Sequence, residues 1–267
     1  MPKVIFITGG SSGIGKAIGC YLHDKGHMVY GTSRNPESIK NNTFSLLKLD
    51  VTDDSSINAA INIVIEKEGK IDVLINNAGV GITGPLEETP NNEIEKVFAT
   101  NVYGPMKTIK AILPYMRDQG TGTIINITSI AGYIGLPYRG IYSVTKGAVE
   151  LLTESLRMEV KDFGIQVTNI APGDFATNIA SGRYHVPIQE NSPYKDPYGR
   201  VLEQINNDVN EGSNPVMIAK KVYKIINMKN PKIHYKVGAF MQKFSILLKR
   251  ILPDRLYEQL LRNHYKL

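Results

Sequence analysis

The chain has a single cysteine in 267 residues, Cys20, so no internal disulfide can form and a reducing compartment is expected. Cys20 reads as a small apolar side chain on the first helix. No apolar stretch approaches the roughly 20 residues that span a bilayer. The first strand begins almost at Met1, so no signal peptide is expected and a cytoplasmic location is. Internal repeats and low-complexity segments are missing, and no His, Cys or carboxylate set has metal-ligand spacing, so no metal site is expected. What is present, 42% hydrophobic and 21% charged residues, suits one packed globular domain.

The body also lacks a charge of either sign. Residues 232–267 hold eight of the 31 Lys and Arg but two of the 25 acids, which leaves 23 bases and 23 acids in residues 1–231. The formal charge of +6 and the pI of 9.1 are therefore properties of the tail, and nucleic-acid binding by the body is not implied. In that tail Phe240, Phe244, Leu247, Leu248 and Ile251 recur at helical spacing among Lys243, Lys249 and Arg250. Pro253 breaks the run, and Leu256, Tyr257, Leu260 and Leu261 begin a second stripe with Arg255 and Arg262. Packing against the body or another subunit is the first reading of this basic amphipathic pair; peripheral contact with an anionic membrane is the second.

Hydrophobic periodicity predicts strands at 3–8, 27–33, 44–49, 71–76, 122–128, 165–171 and 233–237. It predicts helices at 14–25, 54–68, 91–118, 140–163 and 215–228. Such alternation is the pattern of an α/β fold, a doubly wound parallel sheet of about seven strands with helices on both faces. Its ligand crevice belongs at the carboxyl ends of the strands, where Gly9, Ser33, Asn76, Ser129 and Pro172 fall. Residues 1–238 form the catalytic domain in this reading and 239–267 the helical extension. The stretch at about 174–213 carries Gly182, Pro187, Pro193, Pro197 and Gly199, exceeds ordinary connections, and is expected to be a substrate-covering lid with a helix near 197–211.

Two motifs carry chemistry. Thr8-Gly9-Gly10-Ser11-Ser12-Gly13-Ile14-Gly15 follows the buried strand Val4-Ile5-Phe6-Ile7 and opens a helix, the context in which a glycine turn seats a pyrophosphate on a helix N-terminus. Gly9 permits the sharp turn, Gly13 leaves room for phosphates, and Gly15 lets helix and strand approach. Far along the chain stand Ser129 and Tyr142-x-x-x-Lys146. Residues four apart share a helix face. A phenol is a poor acid or base at neutral pH, and a fixed cation beside it favours the phenolate. The serine hydroxyl would hold a carbonyl or alcohol oxygen against it.

Together these residues resemble the short-chain dehydrogenase/reductase family, from about Lys3 to Thr177 and more weakly to the strand near His234. The resemblance implies a Rossmann fold. It implies that Asn76-Asn77-Ala78-Gly79 closes the fourth strand and supports the cofactor turn, and that Asn101 completes a tetrad with Ser129, Tyr142 and Lys146. Asp50-Val51-Thr52 matches the adenine-contacting segment, and Pro172-Gly173-x-x-x-Thr177 the stretch that holds the nicotinamide amide. Lys146 would also bind the nicotinamide ribose, and Asn101 would hold a water that links Lys146 to solvent. Subunit contacts, in a homodimer or homotetramer, would involve the helices at 91–118 and 140–163.

Cofactor choice follows from charge. Where an NAD-using relative would place an acidic residue at the end of the second strand, this chain has Ser33 and then Arg34. A guanidinium favours a 2′-phosphate that a carboxylate would repel, so NADP(H) is expected, with Ser33 and Arg34 at the phosphate and Ser11 or Thr32 assisting. The expected reaction is hydride transfer between nicotinamide and a secondary alcohol or ketone, with Tyr142 as proton donor and Ser129 orienting the substrate oxygen. Tyr133, Ile134, Leu136, Pro137 and Tyr138, with Phe175, Ile179, Tyr184 and Val186 from the lid, would line an apolar pocket for a steroid-, retinoid- or lipid-like substrate. Of these, Tyr133, Leu136, Tyr138, Ile179 and Tyr184 are the expected substrate contacts. A 3-oxoacyl carrier-protein reductase is the alternative enzyme, and a non-catalytic dinucleotide sensor the alternative of another class.

Overall fold

A computed structural model describes residues 1–39, 42–175, 182–210 and 212–267. The first half runs β1 (Val4–Ile7), α1 (Gly13–Asp24), β2 (Met28–Ser33), β3 (Ser45–Lys48), α2 (Asp54–Glu68) and β4 (Val73–Asn76). Next come β5 (Ile82–Thr83), α3 (Asn91–Phe98), a π-helical turn (Ala99–Tyr103), α4 (Gly104–Asp118), β6 (Gly122–Ile127), α5 (Gly140–Glu159) and β7 (Ile165–Pro172). The chain ends with β8 (Tyr184–His185), α6 (Lys195–Asn210), α7 (Val216–Ile226), β9 (His234–Val237), α8 (Phe240–Ile251) and α9 (Asp254–His264).

Seven strands form one parallel sheet in the order β3-β2-β1-β4-β6-β7-β9. Side chains alternate across it, so the sheet feeds two cores. Phe6, Leu74, Ile124 and Val167 meet Ile57 and Ile61 of α2 and Ile109 and Ile112 of α4. Ile5, Ile7, Val73, Ile75 and Ile125 face Ile18 and Leu22 of α1 and Ile218 and Val222 of α7. Strand order reverses between β1 and β4, which opens the ligand crevice there. Each of the seven strands read from periodicity has its counterpart; β5 and β8, a two-residue parallel pair outside the main sheet, were not anticipated.

The helix expected at 91–118 is interrupted. Pro105 has no N–H to donate to the carbonyl of residue 101, so the regular ladder fails there and a π-helical turn takes its place. That turn carries Asn101. By contrast α2 has its ends encoded locally: the Asp53 carboxylate accepts the Ser55 N–H at 2.9 Å, and Gly69 closes the helix at φ 73°.

Pro253 separates α8 from α9 as the sequence suggests. Both pack on the body: Ile246 and Tyr257 lie against Ile130 and Ile134, while Tyr265 joins Val201 and Ile205 of α6. Among the described residues no helix is long and apolar enough to cross a membrane, and no cluster is suited to a metal ion.

Candidate active site

The glycine turn is locked from two sides. Gly9 sits at φ 66°, and a Cβ there would stand 3.0 Å from the Ala78 Cα. The Thr8 hydroxyl accepts from the N–H groups of Asn77 at 3.0 Å and Ala78 at 3.1 Å. Asn77 Nδ2 in turn donates to the carbonyls of Thr8 at 3.1 Å and Gly9 at 2.9 Å. Gly9 also donates to Thr32 Oγ1 at 3.3 Å, which joins the turn to β2. Ser12 precedes α1 without a side-chain cap, leaving first-turn N–H groups for an anion.

From this turn a cleft of about 880 Å³ runs across the carboxyl ends of the strands. Gly9, Ser11, Ser12, Gly13 and Ile14 line one end, with Ser33, Arg34, Asp50 and Val51 beside them. Asn77, Ala78, Gly79, Pro172 and Gly173 line the middle. Gly15 stands behind the turn, where a Cβ would meet the Gly9 oxygen at 2.2 Å. Asn35, Ser38 and Thr52 line the cleft beside Arg34 and Val51; the first two were not anticipated. Asp50 is engaged locally, accepting the N–H of Thr52 at 2.9 Å and its hydroxyl at 2.7 Å.

Ser129, Tyr142 and Lys146 share this cleft. Helix α5 presents the latter two on one face, and the Lys146 ammonium lies 5.7 Å from the Tyr142 ring centroid. Lys146 is buried and donates to the Ile127 carbonyl at 3.2 Å. The Ser129 oxygen accepts the Ala131 N–H at 3.2 Å, while its own hydrogen has only a 3.5 Å contact with the Pro172 carbonyl. That leaves a hydroxyl ready to donate to a better-placed acceptor. Asn101 stands behind the wall. Its Nδ2 donates to the Val80 carbonyl at 2.9 Å and to Thr145 Oγ1 at 3.2 Å, and its Oδ1 accepts the Val80 N–H at 2.8 Å. Gly79 keeps the gap between them open, since a Cβ there would lie 3.3 Å from Asn101 Oδ1 and 3.4 Å from Lys146 Nζ.

The expected substrate contacts divide. Tyr184 lines the cleft, whereas Tyr133, Leu136 and Tyr138 are not on its wall. Ile179, and with it Thr177, lies outside the described residues. Tyr133 turns instead to a buried polar network, donating to Glu150 at 2.5 Å and lying 3.1 Å from His234 Nδ1. Burial first, and the Glu150 charge second, push its pKa well above that of an ordinary phenol. The same carboxylate accepts from Thr128 and Asn169, and His234 approaches it at 3.0 Å. Leu136 and Tyr138 belong to the apolar contact with α6 and α9, where the Tyr138 ring lies 5.3 Å from Tyr198. A loop sequence gives no periodicity from which such directions follow.

Besides Lys96, which pairs with Glu93, the cleft contains two cations that the sequence did not single out. Arg139 precedes α5, and its guanidinium carbon lies 5.6 Å from the Tyr142 ring centroid. Arg183 lines the wall beside Tyr184 and lies along Gly81, where a Cβ would meet its Cγ at 2.9 Å. Tyr138, immediately before Arg139, has φ 56°, a left-handed backbone uncommon for a bulky residue. Its carbonyl accepts the Gly84 N–H at 2.8 Å.

Known proteins resemble this chain in sequence and in fold. The sequence profile described as short chain dehydrogenase matches residues 3–185. A 3-ketodihydrosphingosine reductase of Bacteroides thetaiotaomicron is 41% identical over 266 residues, covering 99% of this chain and 98% of that protein. An NADPH-dependent 3-dehydrocapnine reductase of Ornithobacterium rhinotracheale is 32% identical over 271 residues, covering 95% of this chain and 94% of that one. Among solved structures, a short-chain dehydrogenase from Streptomyces avermitilis superposes with a TM-score of 0.83 at 31% identity, covering 97% of this chain and 95% of the other.

Proposed function

This chain belongs to the short-chain dehydrogenase family, an oxidoreductase family of CH–OH and keto groups that uses a nicotinamide dinucleotide, and we propose that it is an NADPH-dependent reductase of a ketone on a long-chain, lipid-like substrate. The observation that carries the chemistry is the convergence of Ser129, Tyr142 and Lys146 in one cleft beside the glycine turn. Their residues fit a dinucleotide: first-turn N–H groups and glycines for the pyrophosphate, Arg34 and Ser33 for a 2′-phosphate, and Lys146 for the nicotinamide ribose. The bound dinucleotide would supply the hydride.

Tyr142 gives its proton to the carbonyl oxygen. Lys146, fixed by the Ile127 carbonyl, stabilises the phenolate left behind. Ser129 donates to the same substrate oxygen and holds its developing charge. Asn101, tied to both backbone groups of Val80, keeps the wall behind Lys146 in place. The long-chain reading is supported by the Bacteroides relative, which matches over almost the full length of both proteins. A panel run with NADPH and NADH tests the whole reading: 3-ketodihydrosphingosine, a steroid ketone, a retinal, a small ketone and a 3-oxoacyl carrier protein. Preference for the long-chain base with NADPH is expected. Preference for the carrier-protein substrate would replace this reading with the alternative reductase.

The cofactor preference rests on Arg34, which lines the cleft next to Ser33 with no carboxylate at the end of β2. Arg34→Ala is expected to lower kcat/KM for NADPH by roughly tenfold or more, as loss of a charge-assisted bond to phosphate requires, and to leave NADH little affected. Equal losses with both cofactors would remove Arg34 from the phosphate site.

The assembly proposed is a homo-oligomer. Val144, Leu151 and Met158 recur every seven residues on the exposed side of α5, at 57%, 68% and 74% exposure, and exposed Tyr103 adjoins α4. A second copy of this chain is the partner such a self-complementary apolar face suits. Light scattering after gel filtration should give a dimer or tetramer, and Leu151→Glu a smaller species. A monomeric wild-type chain would end this reading.

A further inference from the structure

Helix α8 turns its apolar stripe away from the body. At 3.6 residues per turn Phe240, Phe244, Leu247 and Ile251 fall within about 60° of one another around the axis. An amphipathic helix ordinarily presents such a stripe to the core. Here Phe240, Leu247 and Ile251 are 71%, 49% and 67% exposed, and the Phe240 ring stacks on Phe244 with centroids 5.6 Å apart. The hold on the body comes from the opposite side of the helix. Ile246 is buried in the cluster with Ile130 and Ile134. Gln242 donates to the Asp174 carboxylate at 2.6 Å and accepts the Asp174 N–H at 3.3 Å.

Charge selects what covers the stripe. Helix α8 carries Lys243, Lys249 and Arg250 and no carboxylate, and all three bases are exposed. Lys243 and Arg250 flank the stripe along one side. Around them, residues 232–267 account for the formal charge of +6, while the body is neutral. A second copy docked here about a two-fold axis would set one cationic helix against another, which like charges oppose. An anionic lipid surface satisfies both features at once. Its phosphates meet the basic flank, and the rings and aliphatic side chains enter the boundary between headgroups and acyl chains. Among the described residues no helix is long and apolar enough to cross a bilayer, so the contact is one of lying on the surface.

We propose that α8 docks the protein on an anionic lipid bilayer, in the plane of the interface, with Phe240, Phe244, Leu247 and Ile251 immersed and Lys243 and Arg250 among the headgroups. The inner side of the same helix touches the wall of the cleft. Gly173 and Asp174 line that cleft, and a Cβ on Gly173 would collide with Gln242 Oε1. A ketone dissolved in the bilayer would thus be taken up beside the cleft, with little of its aliphatic chain exposed to water. That uptake rests on the reductase reading; the docking does not. A long-chain base is itself cationic and collects on the same anionic surface.

Flotation of the full chain, saturated with NADPH, on lipid vesicles tests the docking without any turnover. Vesicles of equal phosphatidylglycerol and phosphatidylcholine are expected to bind it about tenfold or more tightly than phosphatidylcholine alone, and high salt should narrow the difference. Lys243→Gln/Arg250→Gln should weaken binding about 25-fold, near fivefold for each base at the surface. Phe240→Ser/Leu247→Ser should weaken it about tenfold or more while the melting temperature holds, since both side chains are exposed. A wild-type chain that ignores the anionic vesicles overturns the proposal, whether or not either variant folds. Affinity that survives in Phe240→Ser/Leu247→Ser reduces the contact to surface charge and overturns the immersed stripe. Light scattering that finds a smaller species for Phe240→Ser/Leu247→Ser than for the wild type gives this face to a second copy and overturns the bilayer. Vesicle binding by a chain that reduces no ketone upholds the docking and ends the reductase reading alone.

Discussion

Tyr142→Phe is expected to lower turnover by about a hundred- to ten-thousand-fold, the range a positioned proton donor supplies, with fold stability and dinucleotide affinity nearly unchanged. Among the described residues the Tyr142 hydroxyl makes no hydrogen bond, so its removal breaks none that holds the fold. Phenylalanine keeps the ring against Arg139 and against Lys146, which lie 5.6 and 5.7 Å from its centroid. Lys146 retains its bond to the Ile127 carbonyl and therefore its place in the cofactor site. What disappears is the proton that the substrate oxygen needs as hydride arrives. Stopped-flow absorbance at the nicotinamide band, with a thermal melt and an NADPH titration on the same sample, measures all three quantities. Turnover within a few-fold of wild type would show that another group carries the proton.

Gly15→Ala should have the second largest effect, on binding rather than chemistry. The new methyl would lie 2.2 Å from the Gly9 carbonyl oxygen and 2.5 Å from Asn77 Nδ2. The first of these is backbone and cannot rotate aside. The bond from Asn77 Nδ2 to that same carbonyl, 2.9 Å long, holds the glycine turn to β4, so relief of the clash must displace the turn. Overpacking of this kind costs about 1–3 kcal/mol. If that cost falls on the phosphate-binding geometry, NADPH affinity drops by about five- to 150-fold; if on the fold, the melting temperature falls. Gly135, where a Cβ meets nothing within 4 Å, provides the neutral comparison as Gly135→Ala. A Gly15→Ala chain with unchanged affinity and unchanged melting temperature would remove the proposed helix–turn contact.

The parallel architecture was legible because its signal is local and periodic. Buried β-branched runs such as Val4–Ile7 alternate with amphipathic stretches, and short crossovers leave few ways to assemble them. The break at Ala99–Tyr103 was not legible as a helix interruption, although Pro105 is its physical cause. Periodicity averages over such a turn, whereas the missing donor acts at a single position. The direction of Tyr133 was not legible for a related reason. It lies between Ser129 and Tyr142, yet its hydroxyl reaches Glu150 on α5 and His234 on β9. Spacing brings it near the site, while the pairing of Asn169 with His234 across β7 and β9 places the imidazole that its hydroxyl meets.

By itself the sequence determined the glycine turn, the Tyr142–Lys146 pair, the absence of an acid before Arg34 and the separation of a neutral body from a basic tail. Each depends on residues near one another along the chain, whose relative geometry a strand, a turn or a helix dictates. The tertiary structure alone decided that Glu150 gathers Thr128, Tyr133, Asn169 and His234 into one buried network. It alone brought Arg183, from the segment before β8, into the same cleft as Arg139. Those meetings depend on where crossovers and sheet register carry distant side chains, and no spacing in the sequence encodes that distance.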